Sequence, residues 1–261
     1  MAASGKLYQI EGIVLGRRDY GEADRVMICL TPQGRADLLA KGIRKTRSRK
    51  AGHMELFART KLLVSRVEGS WDIISQAEAV ALRPGLQEDF LRGTYARYVA
   101  ELVMRFFEAE ANQQLYDLVD WILATLEIDA TPERLVRWYE QRLLSLAGFQ
   151  PEWHRCVGER TGELCEVALV PRPTDRSSFG IDPARGGALC RDCLAGNRGN
   201  SAVRPLSPSA LSWLQALQER PYADLSAFSL SEETARELAQ AGQHYIAHHL
   251  EFRPTSLRMI G

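Results

Sequence analysis

Two periods of apolar residues divide the chain. Over residues 8–80 apolar and polar positions alternate in short runs, the spacing of strands whose successive side chains point to opposite faces. The runs cover residues 8–16, 24–30, 35–40, 60–68 and 71–80. Turn signals separate them: Asp19-Tyr-Gly-Glu22, Thr31-Pro-Gln-Gly34, a basic segment, and Glu68-Gly-Ser70. From Arg83-Pro84-Gly85 onward the period lengthens to that of helices. Leu91, Tyr95, Val99, Leu102 and Phe106 mark one, Leu115, Val119, Ile122 and Leu126 a second, and Leu135, Trp138, Leu143 and Leu146 a third. Thr131-Pro132-Glu133 starts the third helix and Gly148 stops it. Ser207-Pro208 opens another with Leu211, Leu214 and Leu217 on one face, and a last helix spans residues 232–252 on Leu238, Tyr245, Ile246 and Leu250.

Five strands in so short a stretch predict a small barrel. The OB-fold is such a barrel and binds single-stranded nucleic acid through its loops and one strand face; an SH3-like barrel has a similar strand count, and periodicity does not choose between them. The expected organisation is α+β and multidomain. An N-terminal five-stranded OB-fold barrel (residues 1–83) precedes an α-helical bundle begun by residues 84–150 and completed by residues 201–261. A cysteine-bearing module at residues 151–200 is inserted in the bundle. A chain of 261 residues suits that division.

Net charge is zero, but the charge is sorted along the chain. Residues 1–83 carry 15 Lys and Arg against 9 Asp and Glu, a net of +6, and the remainder carries the compensating −6. Six cations and no acid fall within residues 41–50, and Arg17, Arg18, Arg25 and Arg35 lie upstream in the same domain. A polyanion is the natural partner of such a surface. Arg17, Arg18, Arg35, Lys41, Arg44, Lys45, Arg47, Arg49 and Lys50 are the candidate phosphate contacts, giving salt-dependent affinity with weak sequence preference. Aromatic residues for base stacking are few: Tyr8, Tyr20, Phe57 and Trp71, of which Tyr8 and Trp71 also suit a barrel core. The opposing interpretation of the run is a solvated loop.

Four of the five cysteines, Cys156, Cys165, Cys190 and Cys193, lie within thirty-eight residues. The second pair has C-x2-C spacing, which lets one tight turn aim two sulfurs at one metal, with Gly186-Gly187 just before it. The first pair is C-x8-C, longer than a usual knuckle, with Gly158 and Gly162 between for a hairpin. One closed tetrahedral zinc site of structural type is expected. The alternatives are four reduced thiols or two disulfides. Disulfides require an oxidising compartment, and residues 1–10 lack the basic and apolar regions of an export signal. His154 beside Cys156 is a substitute ligand that four sulfurs make unnecessary. Cys29, inside Val26-Met-Ile-Cys-Leu30, reads as a buried small hydrophobe.

No catalytic constellation emerges. Phosphate-loop, dinucleotide, H-E-x-x-H and G-x-S-x-G patterns are missing from the sequence. Asp19, Glu22 and Asp24 could hold Mg²⁺ for nuclease chemistry, but they sit beside Arg17, Arg18 and Arg25, and local ion pairing is the simpler reading. His244 and His248 share a helix face without a third ligand. The expectation is a protein that is not an enzyme, with a cytoplasmic, nucleoid-associated location. No apolar stretch approaches membrane-spanning length.

Segments in both halves of the chain carry a resemblance to a known family. Gly12-Ile-Val-Leu-Gly-Arg-Arg-Asp-Tyr-Gly-Glu-Ala-Asp-Arg25, then Leu30-Thr-Pro-Gln-Gly34, then Ala40-Lys-Gly-Ile-Arg-Lys-Thr-Arg-Ser-Arg49 resemble the N-terminal domain of the bacterial DNA repair and recombination family RecO. Phe179-Gly-Ile-Asp-Pro-Ala-Arg-Gly-Gly-Ala-Leu-Cys190-Arg-Asp-Cys193 resembles that family's segment around its second cysteine pair. The resemblance implies an OB-fold, a helical domain with a zinc-finger-like insertion, and a recombination mediator of the RecF pathway. Such a protein binds single- and double-stranded DNA, anneals complementary strands, and helps load RecA onto DNA coated with single-strand-binding protein. Implied partners are DNA, RecR, the acidic C-terminal tail of single-strand-binding protein and, indirectly, RecA. The alternative is a zinc-stapled adaptor between proteins whose basic loop binds an acidic peptide tail.

Overall fold

Five strands open the chain: β1 (Leu7–Tyr20), β2 (Asp24–Thr31), β3 (Gly34–Ala40), β4 (Arg59–Ser65) and β5 (Ile73–Ala81). In the structure, a computed structural model describing residues 6–107, 110–172, 178–197, 199–250, 254 and 256, they close into a barrel in the order β1-β2-β3-β5-β4. Every pairing is antiparallel except β3 with β5. That order, with its third and fifth strands parallel, is the OB-fold and not an SH3-like barrel. The 14 residues of β1 serve two neighbours: residues 7–13 pair with β4 and residues 13–20 with β2, with a register shift between Val14 and Gly16. Such a bulge bends one strand around the corner of a barrel. Inside lie Val14, Met27, Cys29, Leu38, Ala40, Leu62, Val64 and Ile74 from inward-facing strand positions, with Ile43 and Met54 added from the segment between β3 and β4.

β3 and β5 meet through a single residue pair, Leu39 with Ile73. An unpaired strand edge leaves backbone groups without partners. The segment after β3 meets part of that need. Lys50 Nζ donates to the Ile74 carbonyl at 2.9 Å, and the Ala79 N–H donates to His53 Nδ1 at 3.2 Å. Phe57, at φ 69°, then exchanges backbone hydrogen bonds with β1 jointly with Ala58.

Three helices complete this first compact unit, which comprises Met1–Ala130 and Thr255–Gly261: α1 (Gly85–Glu88), α2 (Phe90–Phe106) and α3 (Gln113–Leu126). Asp89 caps α2 by accepting from the Arg92 N–H at 2.9 Å, and Asn112 caps α3 by accepting from the Leu115 N–H at 2.8 Å. Ser256 returns to the unit, its hydroxyl donating to Glu101 at 2.6 Å. Barrel and helices are pinned by Arg83, only 4% exposed, which donates to the Phe57 carbonyl and to Asp120. Asp120 also accepts from Arg59 at 2.6 Å. Removing one partner strands the others in a dry site, so Arg83→Ala is expected to cost about 3 kcal/mol of stability. Urea denaturation checks this: a lowered midpoint at unchanged slope is expected, and an unchanged midpoint would show that the network carries no weight.

The second unit, Thr131–Pro254, holds the other elements. These are α4 (Pro132–Leu146), a hairpin of β6 (Glu159–Arg160) and β7 (Glu163–Leu164), β8 (Phe179–Asp182), β9 (Gly187–Leu189), α5 (Arg191–Gly196), β10 (Arg204–Leu206), α6 (Pro208–Glu219), α7 (Tyr222–Leu225) and α8 (Glu232–Leu250). Ser207 caps α6 through the Ala210 N–H at 3.1 Å, and Gly148 at φ 79° ends α4. Helices α4, α6 and α8 pack on Leu135, Tyr139, Leu143, Leu211, Leu214, Leu238 and Tyr245, all buried. Gly242 sets the approach of α8, because a Cβ there would lie 2.7 Å from Oε2 of Glu140, whose Oε1 pairs with Arg137 at 3.0 Å. The final helix expected over residues 232–252 ends, within the described residues, at Leu250.

Candidate nucleic-acid interface and metal centre

The nine cations read from the sequence lie on β1, on β3 and in the segment between β3 and β4, and they are not equivalent. The β1–β2 turn and the segment after β3 are tied together: the Arg44 N–H donates to the Ala23 carbonyl at 3.0 Å, and the Gly42 N–H donates to Asp24 at 2.7 Å. Four of the nine pair with acids, three of them across strands or loops and Arg35 within its own strand. Arg17 meets Glu55 at 3.3 Å, Arg44 meets Asp19 at 3.3 Å, Arg35 holds Asp37 in two hydrogen bonds of 2.8 and 3.1 Å, and Arg18 reaches Asp37 at 3.9 Å. Lys50 is half-buried on the β5 edge, and burial pushes its ammonium below the usual lysine range, although Asp24 counters that. The side chains of Lys41, Lys45, Arg47 and Arg49 are exposed and make no hydrogen bond or ion pair among the described residues. These four present unspent positive charge to solvent, and surface pairs such as those of Arg17 and Arg44 are weak enough to exchange for a phosphate.

Asp19 and Asp24 are occupied as local partners. Asp19 is held below the usual carboxylate range by its hydrogen bond from Arg25, with Arg44 adding to it, and Asp24 accepts a backbone N–H. Of the four aromatic candidates, Phe57 is 1% exposed and belongs to the core. Tyr8 donates to Asp72 at 2.6 Å; burial, reinforced by that carboxylate, pushes its hydroxyl up to about 12. Tyr20 and Trp71 sit at the barrel's end with ring centroids 5.1 Å apart.

The four clustered cysteines converge. Hairpin β6–β7, turned by Thr161 at φ 51° and Gly162 at φ 88°, brings Cys156 and Cys165 to the same place as Cys190, the N-cap of α5, and Cys193 in its first turn. All four sulfurs lie within 4.8 Å of one another, with Cys165 and Cys190 at 3.9 Å. Tetrahedral thiolate coordination at about 2.3 Å spaces sulfurs about 3.8 Å apart, so the set fits a metal ion of that kind. The surroundings are built for thiolate charge. Cys156 Sγ accepts the Gly158 N–H at 3.4 Å and the Cys190 N–H at 3.2 Å, while Cys190 Sγ accepts from Arg160 at 3.0 Å. A Cβ on Gly158 would lie 2.7 Å from Cys193 Sγ, so only glycine lets the backbone approach this closely. Burial pushes Cys156 up to about 12; burial also raises Cys190, but hydrogen bonds from the Cys193 backbone and Arg160 overcome it and hold that thiol at about 7.

Arg160 has no signature in the cysteine spacing. Its position in the hairpin between the first two cysteines was the available signal, and its second partner, Asp192 at 2.8 Å, lies inside the C-x2-C pair. Cys29 is wholly buried, and burial, with Asp37 adding to it, pushes its thiol up to about 12, away from any reactivity at neutral pH. His154 reaches Glu219 at 3.1 Å, and His244 bonds the Ala202 carbonyl at 2.6 Å. No helix among the described residues is long and apolar enough to cross a membrane.

The chain is similar to known proteins along nearly its whole length. Residues 4–83 match the family model described as Recombination protein O N terminal, and residues 87–258 match Recombination protein O C terminal. A DNA repair protein RecO from Roseiflexus sp. (strain RS-1) is 34% identical over 256 residues, covering 98% of this chain and 85% of that protein. One from Desulforudis audaxviator (strain MP104C) is 34% identical over 98% of this chain and 96% of its own length. A third, from Symbiobacterium thermophilum, is 33% identical over 97% and 96%.

Proposed function

Because the chain belongs to the RecO family of DNA repair and recombination proteins, we propose that it acts as a mediator that binds and transfers DNA without catalysing a covalent step. The observation that carries this is the group of exposed, unpaired cations Lys41, Lys45, Arg47 and Arg49 on an OB-fold barrel, flanked by Arg17, Arg18, Arg35 and Arg44 in exchangeable surface pairs. Each cation that neutralises a phosphate releases condensed counterions, so affinity is gained without reading bases and the strand is given up readily to a competing partner. Those properties suit a protein that hands a strand from one protein to another.

On this reading the chain works in the RecF pathway. It binds single- and double-stranded DNA, neutralises two strands together so that complementary sequences anneal, and helps load RecA onto DNA coated with single-strand-binding protein. RecR and the acidic C-terminal tail of single-strand-binding protein are its protein partners, and Lys50 contributes to the barrel edge more than to phosphate. Cys156, Cys165, Cys190 and Cys193 would hold one structural Zn²⁺, a closed thiolate shell that supplies folding free energy and has no open position for chemistry. Gly158 and Arg160 keep those thiolates close-packed and hydrogen-bonded.

Annealing tests the proposal. Complementary strands carrying a fluorophore and a quencher are mixed at low salt with no nucleotide present. Faster quenching with protein, slowed as salt is raised, is expected; no acceleration, or acceleration that requires ATP, would contradict a passive mediator.

A further inference from the structure

Resting on the DNA-binding reading of the barrel, the geometry points to a second kind of contact that phosphate neutralisation does not supply: a stacking platform for one unpaired nucleobase, built from Tyr20 and Trp71 with Arg18 beside it. Tyr20 ends β1 at the β1–β2 turn, and Trp71 lies in the connection between β4 and β5. In an OB-fold those two loops are among the surfaces that meet oligonucleotides. The rings stand edge to face, with centroids 5.1 Å apart and planes at 90°. An edge-to-face contact engages at most one face of Tyr20. Tyr20 as a residue is 49% exposed, one of the large aromatic side chains the fold leaves at the surface.

Arg18 is placed to act with it. Its guanidinium lies 5.0 Å over the Trp71 ring, and its pair with Asp37 is long, 3.9 Å, because Arg35 already holds that carboxylate in two hydrogen bonds. Arg18 is thus the cation least committed to an acid among those with acidic partners, and moving it to a phosphate leaves Asp37 satisfied by Arg35. One nucleotide therefore meets two complementary groups: an aromatic face for its base and a guanidinium for its phosphate. The unpartnered cations of residues 41–50 begin next door, since Arg44 donates to the Gly21 carbonyl at 3.4 Å. In a duplex the base faces are stacked on their neighbours and unavailable, so the platform favours single strands while the cations serve both.

The test compares two strands of equal length and charge, an oligothymidylate and the same backbone lacking its bases. The wild-type chain is expected to bind the first about 10-fold more tightly, the scale of one aromatic stacking contact. Tyr20→Ala is expected to bring that ratio close to unity while leaving duplex affinity, and affinity for the base-free strand, unchanged; Tyr20→Phe is expected to restore it. Because Tyr20 sits exposed at a hairpin end, its loss does not open the core, and Trp71→Phe provides a second variant that keeps an aromatic filler. A ratio that Tyr20→Ala leaves intact, or equal wild-type binding to both strands, would overturn the platform alone. Failure of the wild type to bind either strand at low salt would overturn the DNA-binding reading beneath it as well.

Discussion

Reversing Lys45, Arg47 and Arg49 together to Glu is expected to weaken single-strand binding by on the order of 100-fold or more at low salt, and to flatten the slope of log affinity against log salt by about 2, near 0.7 for each phosphate that is no longer neutralised. These three are chosen because their side chains have no partner among the described residues. No internal ion pair is broken, so the thermal transition should stay within about 0.5 kcal/mol of wild type for each exposed change. Arg35 is a poorer probe, since its loss frees Asp37 to repel the strand from within the barrel surface. Fluorescence anisotropy across a salt series reads both quantities in one experiment. Unchanged affinity and slope would remove residues 41–50 from the interface.

Withdrawing the metal from the four cysteines should produce the largest structural effect in the molecule. Apparent binding free energies of structural zinc reach about 10–16 kcal/mol, and in a small module that energy is folding energy. Here the module has little regular structure of its own: its strands β6 to β9 run two to four residues each, and the four sulfurs knit the β6–β7 hairpin to α5. Chelation, or Cys193→Ser, is expected to loosen residues 151–200 to proteolysis. The barrel contains none of the four ligands, so its unfolding transition should persist. A chelator that leaves the module protease-resistant would show that thiols packed without metal suffice. One that unfolds the barrel too would show that the barrel cannot stand without it.

The strands and long helices were legible because each carries its period over enough residues. The β2 run from Asp24 to Thr31 and the α3 run from Gln113 to Leu126 are examples. The three-stranded sheet β10-β8-β9 was not, since strands of three or four residues are too short to display alternation. Barrel closure was implied by strand count, but the order that identifies the OB-fold depends on β3 meeting β5 at Leu39 and Ile73, thirty-four residues apart. The cysteine cluster was legible because metal ligands have a spacing; Arg160 was not, because a hydrogen bond to sulfur imposes none.

Charge was legible only in sum. That residues 41–50 are basic is plain from the sequence, yet Lys50 is spent on the Ile74 carbonyl, and Arg17 and Arg44 face Glu55 and Asp19. Their partners are brought by the fold from elsewhere in the chain. The same holds for Arg83, whose burial against Asp120 and Phe57 could not be read from the turn sequence around it. Phe57, an aromatic beside a basic segment, suits a stacking residue by position and is a core residue by packing.

Amide hydrogen exchange with and without single-stranded DNA tests most directly where the strand lies. Protection is expected at residues 18–25 and 41–50, where the backbone bond from Arg44 to Ala23 ties the basic segment to the barrel end. Protection confined to Thr131–Pro254, with residues 41–50 exchanging as fast as in the free protein, would contradict a barrel-centred DNA interface.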